Sequence, residues 1–290
     1  MDYLIGLIII GFLWVITATI FDIKTKEVPN WLNFTLIIVT ITYRLLYSIT
    51  TNNYGIVISG IIGLITFTII ANLLYYAKAF GGGDAKLLIA LGGVLWLSTD
   101  WKTSLAYATI FIMSLLIIGF IYGITMSIII LARSKKETKK SFMKFLKKQT
   151  KNNKNLLIIT ALLVIIAAIT SIYYKSIAGL TITIILALLP ILLIYSKTVE
   201  KTLLTKKILT KELRPGDWLE KDIKIGRSQI IKAKFDGVTK EEIKIIKKNL
   251  EYVSIKDGIP FVPAFLITYT TTIILWYSGR SFITNTLSLI

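Results

Sequence analysis

Two carboxylates stand apart in this chain. Residues 1–132 hold five acids, Asp2, Asp22, Glu27, Asp84 and Asp100. Asp22 ends a long apolar run and Asp84 begins another, and each precedes a lysine by two positions, in Asp22-Ile23-Lys24 and Asp84-Ala85-Lys86. The sequence contains no His and no Cys. That excludes disulfides, thiolate nucleophiles, imidazole bases and the metal sites built on either group. Paired carboxylates remain able to do acid–base chemistry. One, ionised, takes a proton from water while the other, protonated, donates to or hydrogen-bonds a carbonyl oxygen. Like charges at close range resist joint ionisation, so such a pair shares one proton and titrates as a unit. No metal and no cofactor is expected, because the carboxylates activate water themselves. Which aspartate is the base is left open.

The residues beside Asp84 sharpen this reading. Gly81, Gly82 and Gly83 directly precede it, and glycine lets a second backbone approach closely. Beside a catalytic carboxylate, such a stretch lets an extended substrate strand lie against the acid. The plainer alternative is that the glycines form a turn and Asp84 caps the helix that follows. Asp22 has a similar alternative as the polar end of its helix, with Lys24 and Lys26 anchoring it at an interface.

The elements that must position these acids are membrane helices. Of the 290 residues, 54% are hydrophobic and 17% charged, and the mean hydropathy is +0.72, outside the range of a soluble domain. A span needs about 20 apolar residues. The candidates are 3–21, 32–50, 54–80, 85–98, 103–132, 156–174, 177–196 and 259–277, with 85–98 short for a span. The expected fold is an all-α polytopic membrane helical bundle of about eight spans (six to eight), with a small α+β cytoplasmic domain. The first run is not expected to be a cleaved signal peptide, since Asp2 replaces a basic start.

Lys and Arg set the orientation. Residues 133–155 carry ten cations against the single acid Glu137, and cationic loops stay in the cytoplasm. With eight spans, Lys24, Lys26, Lys78 and Lys86 fall on that same side. Arg44, Lys102, Lys175 and Arg280 fall at or near the other, and both termini come out external. Omitting the 85–98 span would separate Lys24 and Lys26 from the basic loop, which argues for keeping it. Asp22 and Asp84 then share the cytoplasmic edge. The net charge of +18 points to anionic lipid at the cytoplasmic leaflet and not to nucleic acid.

The expected domains are a membrane core with both Asp segments (1–132), a basic cytoplasmic loop (133–155), a helical membrane hairpin (156–196), a small cytoplasmic domain (197–258), and a final membrane helix with its tail (259–290). In the loop, Phe142, Phe145 and Leu146 alternate with Lys, which suits an amphipathic stretch on an anionic leaflet. A solvated connecting loop is the alternative. In the small domain, Pro215-Gly216-Asp217 and Asp236-Gly237 signal turns. Thr239 and Glu242 form a capping box that opens an amphipathic helix over 240–250, and 252–256 alternates as a strand. No internal repeat is visible.

Here the residues reach a family. Gly81-Gly82-Gly83-Asp84 fits a Gly-x-Gly-Asp signature, and its continuation Ala85-Lys86-Leu87-Leu88 resembles that of the type IV prepilin peptidases, membrane aspartyl proteases. The segment from Asp22-Ile23-Lys24 to Val28-Pro29-Asn30-Trp31 resembles the family's first-aspartate segment. The archaeal preflagellin and prepilin peptidase branch is similar also at Glu212-Leu213-Arg214-Pro215-Gly216-Asp217, at Asp236-Gly237-Val238-Thr239 and at Gly258-Ile259-Pro260-Phe261-Val262-Pro263-Ala264-Phe265-Leu266. The resemblance covers about the first 100 and last 80 residues, and 133–196 carries no motif of the family.

The resemblance implies that Asp22 and Asp84 are the catalytic pair, with Gly81, Gly82 and Gly83 as backbone support. It implies removal of a short basic leader from archaellin or type IV pilin-like precursors at the cytoplasmic face. Bacterial members carry a cysteine cluster and methylate the new N-terminus, so the lack of Cys implies proteolysis without methylation. Glu27 is a candidate contact for the basic leader, although an ordinary exposed loop position is the favoured reading. Asn30 is taken as structural, Arg44 is given no catalytic role, and Pro190 is expected to kink its helix. A proton- or cation-coupled transporter using Asp22 and Asp84 is the main alternative, and a scaffold the plainest one. The presenilin group shares Gly-x-Gly-Asp but expects its first aspartate deep in a helix. No Ser sits near a buried Lys, which disfavours a Ser–Lys enzyme.

Overall fold

The structure is a computed structural model that describes residues 2–77, 79–174, 177–225, 229–234 and 237–287. Lys78, Lys175 and Asp236 of the reading above lie outside the described residues, as does the side chain of Arg280. The helices are α1 (Asp2–Thr25), α2 (Asn30–Thr50), α3 (Gly55–Tyr76), α4 (Gly82–Leu95), α5 (Trp101–Arg133), α6 (Lys136–Asn152), α7 (Lys154–Tyr173), α8 (Ile177–Thr202), α9 (Lys240–Asn249) and α10 (Val262–Leu287). The strands are β1 (Thr205–Leu209), β2 (Trp218–Leu219), β3 (Ile223–Ile225), β4 (Gln229–Ile231) and β5 (Tyr252–Lys256). The chain forms two compact units, Met1–Ile124 with Ile259–Ile290, and Thr125–Gly258. Among the described residues, α1, α2, α3, α5 and α7 are long and apolar enough to cross a membrane. This is a multi-pass helical membrane bundle with a small α+β region.

In the first unit, α4 is the axis. Every residue from Leu87 to Leu97 is buried except the half-buried Ile89, and α4 packs on α1, α2 and α3. An apolar helix with no polar face belongs inside a bundle. Leu88, Leu91, Phe67, Leu36, Phe111 and Phe265 fill the core around it. The outer faces present Ile9, Leu13, Ile38, Ile58, Ile65 and Ile69, a surface suited to lipid and not to water. α3 meets α4 at a pair of glycines. A Cβ at Gly92 would lie 2.7 Å from the Gly63 carbonyl oxygen, and one at Gly63 would lie 2.4 Å from that of Gly92. Only hydrogen at both positions allows that crossing, as small residues do between membrane helices.

The stretch expected as the fourth span, 85–98, is a helix that begins three residues earlier and ends three residues earlier. α4 has 14 residues, a rise of about 21 Å against a hydrocarbon core of about 30 Å, and the chain leaves the helix at Trp96. The last carbonyls of any helix lack intrahelical donors. Here a fully buried arginine supplies them. Arg44 of α2 donates from Nε to the Gly93 carbonyl (2.9 Å), from Nη2 to that of Trp96 (2.7 Å), and from Nη1 to the Ile56 carbonyl (3.1 Å) and Ser59 Oγ (3.0 Å). Arg44 therefore pairs within the bundle. A cation at a helix C-terminus also opposes the negative end of the macrodipole.

In the second unit, α7 and α8 form a hairpin, and α8 remains helical across Pro190. The basic segment folds as the amphipathic helix α6, whose Phe142 is buried with Val199 of α8 and with Leu203 just after it and stands edge-on to Tyr195. Its lysines Lys136, Lys139, Lys140, Lys144 and Lys147 line one open face.

The small α+β region has a three-stranded antiparallel sheet, β1-β5-β2, and a separate β3-β4 hairpin. Leu213, Leu219, Ile231, Val238, Ile243, Ile246 and Val253 form its core. The capping box occurs as expected, with Glu242 N–H donating to Thr239 Oγ1 (3.2 Å) and Thr239 N–H to Glu242 Oε2 (2.9 Å). The turn at Gly216 is pinned to the segment at Gly237 and Val238. Gly216 N–H donates to the Val238 carbonyl and Val238 N–H to that of Asp217. Both glycines have positive φ, and a Cβ at Gly237 would lie 2.2 Å from the Gly216 carbonyl oxygen. These motif residues hold a fold, and burial pushes the half-buried Asp217 carboxyl above its usual value.

Candidate active site

Asp22 stands in the last turn of α1, which ends as Lys26 takes a positive φ of 58° while its N–H donates to the Asp22 carbonyl (2.8 Å). Asp22 is buried at 5% exposure, whereas Lys24, Lys26 and Glu27 around it are exposed. Asp84 enters from the other direction, in the first turn of α4. The chain arrives there through Phe80, buried at 4%, and an extended Gly81 (φ −70°, ψ 163°). Gly81 has no side chain to cap the helix. The capping runs only in reverse, from Gly81 N–H to Asp84 Oδ2 (3.3 Å).

The structure brings the two acids together. α1 packs on α4, and each carboxylate lies within electrostatic range of the other. Their flanking segments touch as well. A methyl group at Gly83 would lie 3.7 Å from the Val28 backbone nitrogen, in the turn after α1. Lys86 Nζ donates to Asn30 Oδ1 (2.8 Å), which fixes the start of α4 to the start of α2 and gives Asn30 the structural role expected of it. Asp84 also takes part in capping its own helix, through the Gly81 N–H.

The remaining acids of the segment are elsewhere. Glu27 is exposed, and among the described residues its side chain makes no hydrogen bond or ion pair. Asp100 caps the start of α5, accepting from Thr103 N–H (2.9 Å) and Thr103 Oγ1 (2.6 Å). Among the described residues no group of three His, Cys, Asp or Glu side chains is placed to hold a metal ion.

One partner of the site had no signature in the first 132 residues. Asp22 Oδ2 accepts the backbone N–H of Val262 at 2.8 Å, 240 positions away, in a buried hydrogen bond. Val262 opens α10, so Asp22 caps a helix from across the bundle. Tyr122 of α5, half-buried, also lies within electrostatic range of Asp22.

Residues 9–131, which hold both aspartates and the three glycines, match the type IV leader peptidase family. The chain is similar to the preflagellin peptidase of Methanococcus maripaludis (strain C6 / ATCC BAA-1332), 27% identical over 147 residues, which is 47% of this chain and 64% of that protein. It is similar to the preflagellin peptidase of Methanococcus voltae, 33% identical over 86 residues, 30% of this chain and 36% of that protein. The chain thus spans less than two thirds of the length of either curated relative. No solved structure matches it. The leader peptidase segment ends before α6, so the family match assigns nothing to α10, whose first residue donates to Asp22.

Proposed function

We propose that this protein is a membrane aspartyl endopeptidase that removes the short basic leader from archaellin or type IV pilin-like precursors. The observation that carries the reading is the convergence of Asp22 and Asp84. They come from two separate helix ends, inside a leader peptidase segment, in a chain with no His or Cys. In the reaction one carboxylate, ionised, takes a proton from water, and that water attacks the scissile carbonyl carbon. The other, protonated, donates to the carbonyl oxygen, and collapse of the tetrahedral intermediate releases the new amine. Gly81, Gly82 and Gly83 leave room for an extended substrate backbone beside Asp84. Glu27, exposed on the turn after α1, is the acid available to a basic leader.

The cationic α6 and the lysines near both aspartates favour a cytoplasmic active face in the cell membrane. The lysine face of α6 suits anionic lipid headgroups of that leaflet. With no Cys, the chain lacks the thiolate cluster tied to N-methylation, and cleavage alone is the proposed activity.

The test is cleavage of a precursor with a basic, Gly-terminated leader by membranes holding wild type, Asp22→Asn or Asp84→Asn. The expected result is a loss of at least about 10³-fold in both variants, with expression and thermal stability retained. Cleavage by either variant at the wild-type rate refutes the paired mechanism. Ion flux in proteoliposomes that depends on either aspartate, with no cleavage by wild type, establishes the transporter instead.

A further inference from the structure

The hydrogen bond from Val262 to Asp22 joins the last helix of the first unit to its first. Val262 is fully buried, and it stands at the first position of α10, where a backbone N–H has no acceptor within its own helix. The end of a helix that offers free N–H groups favours a carboxylate. Asp22 Oδ2 occupies that place at 2.8 Å.

The same turn of α10 also holds the other acid's segment. Phe261, just before Val262, has its ring 5.6 Å from that of Phe80, and Phe265, one turn on, has its ring 5.9 Å from it. Phe261 and Phe265 meet edge-on at 5.9 Å. Phe80 immediately precedes Gly81-Gly82-Gly83-Asp84. α10 is in turn fixed along its length, since Tyr269 Oη donates to the Ile8 carbonyl of α1 at 2.9 Å. The first turn of α10 thus touches Asp22 by a backbone donor and the Asp84 loop by two aromatic rings.

We propose that the N-terminal turn of α10 sets the register of the two aspartates, with the Val262 N–H as the positioning group for Asp22 and Phe261 and Phe265 as the positioning groups for the Asp84 loop. This rests on the aspartyl peptidase reading of the pair. A carboxylate held by a rigid helix end keeps one oxygen occupied and presents the other in a fixed direction. Misplacement of a reacting group by about 1 Å costs on the order of a hundredfold in rate.

Proline offers a clean test, because at the first position of a helix it fits the backbone yet carries no N–H. Val262→Pro removes the Val262 donor to Asp22 and leaves the lesser backbone interaction from Phe261, and Val262→Ala removes methyl groups while keeping both. Steady-state cleavage is measured for both full-length proteins beside wild type, Asp22→Asn and Asp84→Asn, together with thermal stability. The expected result is a kcat for Val262→Pro about a hundredfold below that of Val262→Ala, with KM and melting temperature close to those of Val262→Ala. Added to Asp22→Asn, Val262→Pro is expected to cause no further loss.

Equal kcat in the two Val262 variants overturns the Val262 assignment while Asp22→Asn and Asp84→Asn remain inactive. If either aspartate variant cleaves normally, the underlying peptidase mechanism fails instead. Should Val262→Pro not fold, Phe261→Leu decides, since it loosens the Phe80 contact and leaves every backbone donor in place. A fall in kcat at unchanged KM supports the proposal, and an unchanged kcat overturns it.

Discussion

Arg44→Leu tests whether a buried cation terminates α4. In the wild type the guanidinium serves three carbonyls, and the loss is not equal at each. Ser59 Oγ itself donates to the Ile56 carbonyl at 2.8 Å, so that oxygen keeps a partner when Arg44 is removed. The Gly93 and Trp96 carbonyls lose the donors that Arg44 provides. A buried polar group left unsatisfied costs about 1–3 kcal/mol, so two give roughly 2–6 kcal/mol. For a unit of this size that corresponds to a fall in melting temperature of roughly 5–20 °C. Thermal unfolding in detergent micelles, followed by tryptophan fluorescence, reads it directly, since Trp96 adjoins the change. Arg44→Lys is expected to fall between the two, because one ammonium cannot reproduce a fork that spans two carbonyls. A melting temperature for Arg44→Leu within about 2 °C of wild type would refute the account of how α4 ends.

Gly92→Ala is expected to destabilise the bundle by about 1–3 kcal/mol through overpacking, because its Cβ would meet the Gly63 carbonyl oxygen at 2.7 Å and Phe67 Cβ at 2.8 Å. Gly123→Ala, with nothing within 4 Å of the added carbon, is the control that should be neutral or stabilising in the same melt. In the second unit, the Lys201 ammonium donates to Glu220 and holds its carboxyl below the usual 4.5 against the smaller opposing effect of burial. A depressed carboxyl contributes stability above its unfolded value, and that contribution is lost as pH falls through the folded one. Amide exchange in β2 and β5 should therefore quicken below about pH 4.5 more in wild type than in Glu220→Gln. The difference should be under about 1 kcal/mol for so exposed a lysine, and identical acid sensitivity in the two proteins would remove Glu220 from the explanation.

The sequence shows its carboxylates more plainly than their supports. Asp22 and Asp84 are conspicuous because few acids accompany them in an apolar segment, and the three glycines announce a turn. The capping box at Thr239 and Glu242 and the strand at 252–256 follow from local patterns, and the structure contains both. The end of α4 does not, since the hydropathy of Val94-Leu95-Trp96-Leu97 continues past the point where the helix stops. Arg44 on another helix decides that boundary. The Val262 donor is hidden for a different reason. Every residue except proline has a backbone N–H, so no residue type marks the one that will meet Asp22. The proline before Phe261 and the proline after Val262 show only that a helix begins nearby.

The first unit is assembled from two stretches of chain with the whole second unit between them. During synthesis at about 5–20 residues per second, the 240 positions from Asp22 to Val262 take roughly 10–50 s to emerge. For that interval both aspartates are already in the membrane while the helix that holds them in register does not yet exist. On the positioning proposal, the nascent chain works at least about a hundredfold more slowly than the finished one. A chain cut short before Val262 stays in that slowed state. On that proposal, completion of the polypeptide is the step that brings the pair to its final geometry.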